Sequence, residues 1–316
     1  MRGLHLIPGN INLQFISRRI VFFVFSALLM IASVGLYLAK DLNYGIDFKG
    51  GILIEIKTAP GPADIKAMRS NLSDLGVGEI GLQEFGAPDE VLIRIQAQEG
   101  DEKAQQMAVD KVKTALGEGI EYRRTEFVGP KISDELFWDG IYAVGAAIFA
   151  ILVYVWFRFE WQFGLGAVVA LVHDVLSTIG IFALLGLEFN LSTVAAILTI
   201  AGYSINDTVV VYDRVRENLR RYKTLSLPEL LNNSINETLS RTVMTSVTTL
   251  LALGSLYILG GEVIRGFSFA MIWGVLIGTY SSICLAVPVL LYMKIERRST
   301  SGDADEGEEA AAEQAP

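Results

Sequence analysis

Metal and disulfide chemistry have little to work with in this chain. Its one cysteine, Cys284, lies in an apolar run, so no intramolecular disulfide is possible and cysteine usage says nothing about compartment. Two histidines, without a Cys-x-x-Cys or a His-x-x-x-His, supply no metal-ligand spacing. No Gly-x-x-x-x-Gly-Lys-[Ser/Thr] occurs, which excludes a Walker-type ATP site, and no other catalytic constellation points to an enzyme. A basic surplus is lacking too. The formal net charge is −9, so nothing calls for nucleic acid as a partner. That figure exaggerates the acidity of the folded part, because Asp303, Asp305, Glu306, Glu308, Glu309 and Glu313 fall in the C-terminal stretch with no base among them. Residues 293–316 read as a solvated, disordered acidic tail.

What the chain has in abundance is apolar surface. Hydrophobic residues make up 52% of 316, and the mean hydropathy is +0.42, too apolar for a soluble protein of this length. Ser17-Arg18-Arg19 precede an apolar run over 20–39, long enough at about 1.5 Å per residue to cross a bilayer. Its length and the lack of a clear small-x-small site mark an uncleaved anchor rather than a signal peptide. Five further spans are expected over 137–157, 163–187, 191–211, 243–259 and 267–292. Basic residues gather at alternate ends. Arg18 and Arg19 precede the first span, Arg158 follows the second, Arg214 to Lys223 follow the fourth, and Lys294, Arg297 and Arg298 follow the sixth. The opposite short loops hold only Glu188, and Glu262 with Arg265. The positive-inside rule then puts both termini, including residues 1–19, in the cytoplasm.

Residues 41–136 remain as one extracytoplasmic domain. Strand patterns at 51–57, 80–85, 91–95 and 120–128, with helical spacing at 62–75 and 101–116, give the order βαββαβ of a ferredoxin-like α+β sandwich. A Gly-Ala-Pro-Asp turn joins the middle strands, and Asp101 is the expected N-cap of the second helix. Residues 214–241 form a cytoplasmic segment. Ser226-Leu227-Pro228-Glu229 starts a helix there, and its apolar stripe of Leu230, Leu231, Ile235 and Leu239 is expected to lie on the membrane interface.

The fourth span carries Asn206 and Asp207, which hydrocarbon penalises by several kcal/mol. Thr199, Gly202, Tyr203, Asn206 and Asp207 share one stripe at helical spacing, so they are expected to face a partner helix or a wet cavity rather than lipid. Such a site is either polar glue between helices or a place where an ion or proton binds. Arg241 begins the next, antiparallel span at similar depth, where an ion pair with Asp207 would form a protonation switch or Arg241 would simply anchor the helix. His173 and Asp174 sit mid-span in the third helix. They read as an interhelical hydrogen-bond site or as a second proton-handling pair, and being about 100° apart they cannot both face one partner squarely. Gly274 and Gly278 form a Gly-x-x-x-Gly of close helix packing.

Three of these stretches resemble a known family. Gly45-Ile46-Asp47-Phe48-Lys49-Gly50-Gly51 is similar to the G-x-D-F-x-G-G signature of the SecD/SecF family. Val172-His173-Asp174-Val175 and the run from Gly202-Tyr203 to Asp213-Arg214 are similar to its transmembrane motifs. The resemblance covers nearly the whole chain except the acidic tail. It implies a six-span half of an RND-type transporter in the bacterial inner membrane. That half would pair with SecD and work with the SecYEG channel, pulling an unfolded preprotein outward through the lipid bilayer at the expense of the proton gradient. It carries the family's proton-relay residues onto Asp207 and Arg241, with Asn206, Asp174 and His173 as further members. Gly45, Asp47, Phe48, Gly50 and Gly51 would form a structural or coupling junction, and Gly202 and Tyr203 belong to the long motif. No cofactor is implied beyond the coupling proton, for which sodium is an alternative. Two rival functions stand beside this one: an RND-type exporter of small molecules or lipids, and a scaffold subunit that transports nothing.

Overall fold

The computed structural model describes residues 12–293 and 295, apart from 59, 60, 74, 99 and 101. The acidic tail and the expected cap Asp101 lie outside the described residues. A 3₁₀ turn over Ile16–Arg18 leads into α1 (Arg19–Lys40). A short strand β1 (Asn43–Tyr44) and one-turn helix α2 (Ile46–Lys49) then lead into the soluble domain. That domain runs β2 (Gly51–Thr58), α3 (Ile65–Ser73), β3 (Ile80–Phe85), β4 (Ala87–Ile95), α4 (Glu102–Leu116) and β5 (Ile120–Val128), the βαββαβ order expected. The remaining elements are α5 (Pro130–Arg158), α6 (Trp161–Leu185), β6 (Glu188–Phe189), α7 (Leu191–Arg221), α8 (Leu227–Leu259) and α9 (Glu262–Ser281). α9 continues through a π-helical stretch, Ser282–Ala286, into α10 (Val287–Val289) and a final 3₁₀ turn, Leu290–Tyr292. Among the described residues, six helices are long and apolar enough to cross a membrane. The chain is a multi-pass membrane protein with an α+β domain between its first two spans.

The four strands pair antiparallel in the order β3-β4-β2-β5. Strand periodicity sends Ile52, Ile54 and Ile56 of β2 to one face, where they meet Val91, Ile93 and Ile95 of β4 and the apolar sides of α3 and α4. Leu53 and Leu92 point the other way and pack with Ile46, Phe85 and Val128, toward the membrane spans. Both faces of β2 are therefore covered, which is why its residues 51–56 are all buried. The expected four-residue turn shrinks to Gly86 (φ +85°), and Ala87 pairs directly with Phe85 across a register shift.

Inside the bundle, α6, α7 and α9 form the core layer, whereas α1 buries only Ser26 and Ser33. Ser33 of α1 packs closely against Gly180 of α6. Gly274 lies against Ile200, and Gly278 would place a Cβ 3.2 Å from that of Ser204, so the Gly-x-x-x-Gly brings α9 hard onto α7 as expected.

One expectation is corrected. The stretch with Leu230, Leu231, Ile235 and Leu239 does not lie flat on the interface. It is the first half of α8, continuous with the fifth span and capped by the Ser226 hydroxyl on the Glu229 amide. α7 likewise runs on to Arg221, so the two helices form a hairpin whose apolar stripe is buried against Val211, Tyr212 and Val215. Polar partners hold that hairpin where it leaves the membrane. The buried Asn218 amide donates to Ser234 Oγ (2.9 Å) and Glu237 Oε2 (2.9 Å). The N-terminal segment covers its other side, with the Leu13 amide on Asn236 Oδ1 (2.8 Å) and the Phe15 amide on Asn232 Oδ1 (2.9 Å). A stripe with two protein neighbours has no apolar face left for lipid.

Candidate functional site: a polar core fixed to a glycine-rich junction

α7 carries Asp207 and the Ser204 partner of Asp174, and it is tied down at its first turn. Asn190 caps it, accepting from the Thr193 amide (3.1 Å) while Thr193 Oγ1 accepts from the Asn190 amide (3.4 Å). The next open amide, Leu191, donates to Asp47 Oδ2 at 2.9 Å. A carboxylate at a helix N-terminus also meets the positive end of the helix dipole. The aspartate of the glycine-rich motif thus bonds directly to the helix that carries Asp207.

The rest of that motif explains itself at the same spot. The Gly45 amide donates to the Phe189 carbonyl (2.9 Å), alongside a parallel pairing of β1 with β6. Phe48 sits in an aromatic cluster with Tyr44, Phe137 and Phe189, ring centroids about 6 Å apart. Gly50 (φ +69°) ends α2, and Gly51 (φ +130°) starts β2 so close to its neighbour that a Cβ would stand 2.6 Å from the Ile95 carbonyl oxygen. Only glycine fits there. One short motif therefore joins α1, the soluble sheet, the foot of α5 and the start of α7.

A second tie joins domain and bundle. Arg94 of β4 forms an ion pair with Glu188 of β6 and also donates to Asn43 Oδ1 (3.3 Å). Burial pushes the Glu188 carboxyl above the usual carboxylate range, against the opposing pull of Arg94. Sequence reasoning missed this pair. The signal was there, since Glu188 is the only charge in its loop.

Deeper in the bundle, polar groups that the bilayer would penalise satisfy one another. His173 and Asp174 are fully buried. Asp174 Oδ1 meets His173 Nδ1 (3.0 Å), and Oδ2 accepts from Ser204 Oγ of α7 (2.6 Å) and Ser281 Oγ of α9 (2.8 Å). The expectation that these neighbours could not share a partner is met in an unforeseen way: they partner each other. His173 Nε2 has no hydrogen-bond partner among the described residues. Next to Ser281, Ser282 opens the π-helical stretch. Its hydroxyl accepts from Thr208 Oγ1 (3.0 Å), and Tyr212 Oη at the far end of that stretch donates to the Ala286 carbonyl (3.1 Å). A π-helical turn widens the helix and re-aims successive side chains, a form of irregularity frequent at functional sites. Here it lets two consecutive serines serve Asp174 and Thr208 separately.

Asp207 stands at the edge of this network, 7% exposed. Its Oδ1 accepts from Thr242 Oγ1 of α8 at 2.7 Å, while Oδ2 is buried with no partner among the described residues. The expected ion pair with Arg241 is not formed among the described residues. Thr242 takes its place because Arg241, one position earlier and about 100° round α8, points outward and is exposed. The expected stripe on α7 is split in the same way. Asp207 turns inward, whereas Thr199, Gly202 and Asn206 are exposed on the outer face and Tyr203 is half-buried between them. The hydroxyls of Ser204, Thr242, Ser281 and Ser282 were not singled out from sequence. Their recurrence in apolar runs opposite an acid was the available signal.

The family profile described as "Protein export membrane protein SecD/SecF, C-terminal" matches residues 108–296, and that of the "SecD/SecF GG Motif" matches 40–61. The chain belongs to the SecD/SecF family. It is 48% identical over 315 residues to the protein translocase subunit SecF of Rhodobacter capsulatus, covering 95% of this chain and 94% of that one. It is 45% identical to SecF of Rickettsia akari, covering 91% and 94%. The crystal structure of SecDF from Thermus thermophilus, a translocon-associated membrane protein, superposes with a TM-score of 0.82 at 36% identity over 91% of this chain. This chain spans 39% of the length of that SecDF chain. A SecDF structure in a super-membrane-facing form matches with a TM-score of 0.66 over 96% of this chain. The SecD/SecF motifs read from sequence are thus the junction and the polar core described above.

Proposed function

We propose that this chain is the SecF-type half of a protein-export complex and that Asp207 is where it is coupled to the proton gradient. The observation that carries the reading is a buried carboxyl with one oxygen held by Thr242 and the other without a partner among the described residues. Such a group can take up a proton without rearranging its surroundings. Deprotonated, it needs a cation, and Arg241 next to Thr242 on α8 is within one helix turn of supplying it. Protonation keeps Asp207 on Thr242; proton release draws Arg241 inward and rotates α8 against α7. Asn206 flanks this exchange, and Asp174 with His173 forms a second station whose hydroxyl partners sit on the same α7 and α9.

The conformational change reaches the soluble domain through Asp47 on α7 and Arg94 on Glu188. The basic helix ends face the cytoplasm and the ferredoxin-like domain faces the periplasm, where it acts on a preprotein leaving the SecYEG channel. The partner is SecD, which covers the outer face of α7, because Asn206 beside the open groove at Gly202 is unsuited to lipid. One charge moved through 100 mV is worth about 2.3 kcal/mol, enough to bias a two-state device. The exporter and scaffold readings lose ground to the translocase relatives, and a domain of this size leaves little room for a substrate pocket.

The test is late-stage export of a slow secretory protein into inverted membrane vesicles carrying Asp207→Asn, with and without a proton gradient after ATP-driven insertion is complete. Loss of gradient dependence with intact co-purification of the partner supports the reading. Normal gradient-dependent release by the variant refutes it. Replacing the proton gradient by a sodium gradient in the wild type separates the two coupling ions.

A further inference from the structure

At the end of the bundle where α5 gives way to α6, four arginines and two acids surround an open cleft of about 620 Å³: Arg158, Arg216, Arg220, Arg221, Asp213 and Glu217. The acids are already engaged. Asp213 takes a two-pronged contact from Arg158 Nη2 (2.9 and 3.1 Å), and Glu217 pairs with Arg214 outside the cleft (3.0 Å). Arg220 and Arg221 form no ion pair among the described residues. The cleft walls are also rigid. The Arg158 and Arg216 guanidinia stack over the same ring, Phe159, at 4.9 and 5.2 Å, and Arg216 donates to the Arg158 carbonyl (3.2 Å). Phe159 is itself buried against Phe163 and Tyr212, so the platform belongs to the bundle core.

The surroundings identify the occupant. Trp156, Phe157 and Trp161 flank Arg158 in sequence and are 66%, 89% and 60% exposed. Large aromatics beside a helix end are the signature of the membrane–water boundary. An open cleft with two surplus positive charges at that depth has phosphate-bearing headgroups as its nearest anions. Bidentate guanidinium donors suit phosphate geometry. We infer that this cleft binds the headgroup of an anionic phospholipid, with the acyl chains lying along Trp156 and Phe157 of α5. Bound there, the lipid bridges the α5–α6 turn to the end of α7, which holds Asp207 about four turns further in.

The experiment uses the full chain with its partner in phosphatidylcholine vesicles containing some phosphatidylglycerol. Trace phosphatidylglycerol or phosphatidylcholine probes carry a photoactivatable group in the acyl chain. Labelling of the peptides around residues 156–161 and 216–221 is expected to favour phosphatidylglycerol. Arg216→Gln with Arg220→Gln should reduce that preference about 25-fold, at roughly five-fold per arginine lost, while Arg18→Gln on the same side should leave it intact. Excess inorganic phosphate should not compete, since a free ion lacks the chains that place it. Equal labelling by both probes in the wild type, or a preference unchanged in the double variant, overturns the inference. So does a preference that appears only when the chain ends at Arg298, which would make the acidic tail the natural occupant.

Discussion

At the scale of single residues, the hydroxyls of Ser204, Thr208, Thr242, Ser281 and Ser282 are all engaged, whereas Asp207 keeps one carboxyl oxygen without a partner among the described residues. Thr242→Val removes the hydrogen bond that Asp207 Oδ1 receives, whereas Thr242→Ser keeps it. A hydrogen bond between neutral groups is worth about 0.5–1.5 kcal/mol. The valine variant should therefore lose gradient-driven export and the serine variant should retain most of it, as vesicle assays would show. Gly51 offers a harsher test away from the core. Alanine there must adopt φ +130° with its Cβ against the Ile95 carbonyl, a strain of about 1–3 kcal/mol or more. Gly51→Ala should lower the thermal midpoint of the soluble domain and loosen its attachment, seen as faster proteolysis between β2 and α1. Glu188 makes a prediction about pH. Its carboxyl titrates above the ordinary range in the folded protein, so the folded state holds the proton more tightly than the unfolded one. Stability from this group is complete below the ordinary glutamate range and is lost as pH rises through the raised value. Thermal scans across that window should show the wild type losing more stability than Glu188→Gln.

At the scale of elements, the faces of α7 have different tasks. Gly202 has nothing within 4 Å of where its Cβ would stand, so Gly202→Leu should leave the isolated chain as stable as before while weakening co-purification with the partner subunit. Gly274, pressed on Ile200, should behave in the opposite way: Gly274→Leu should destabilise the chain itself, with or without the partner. These elements were largely legible beforehand. Six apolar runs and the βαββαβ order follow from periodicity and spacing, which act locally, and the glycine motif was legible through its resemblance to the family signature. What was not legible depends on which neighbour arrives. The Leu230 to Leu239 stripe reads the same whether it meets lipid or protein, and only the packing of α7 and residues 12–15 decides it. Whether Asp207 faces Arg241 or Thr242 turns on 100° of rotation in α8, below the resolution of a pattern. The π-helical stretch at Ser282 has no sequence period of its own.

At the scale of the whole molecule, the contacts between the bundle and the soluble domain include Asp47 on the α7 amide, Arg94 on Glu188, and the aromatic cluster around Phe48. Severing the first with Asp47→Ala should leave both parts folded and still reduce export, because movement of α7 would no longer reach the domain. Domain-specific proteolysis would check the folding and vesicle assays the export. The Asp174 site carries a further consequence, which concerns the order of synthesis. Its ligands come from α6, α7 and α9, and Ser281 lies 107 residues after the carboxyl it serves. While the ribosome is still making the last span, Asp174 is a buried acid short of one partner, and only the arrival of α9 completes its shell. A chain cut short before Ser281 would thus expose its incompleteness deep in the membrane, where proteases that survey membrane proteins can act on the loosened bundle.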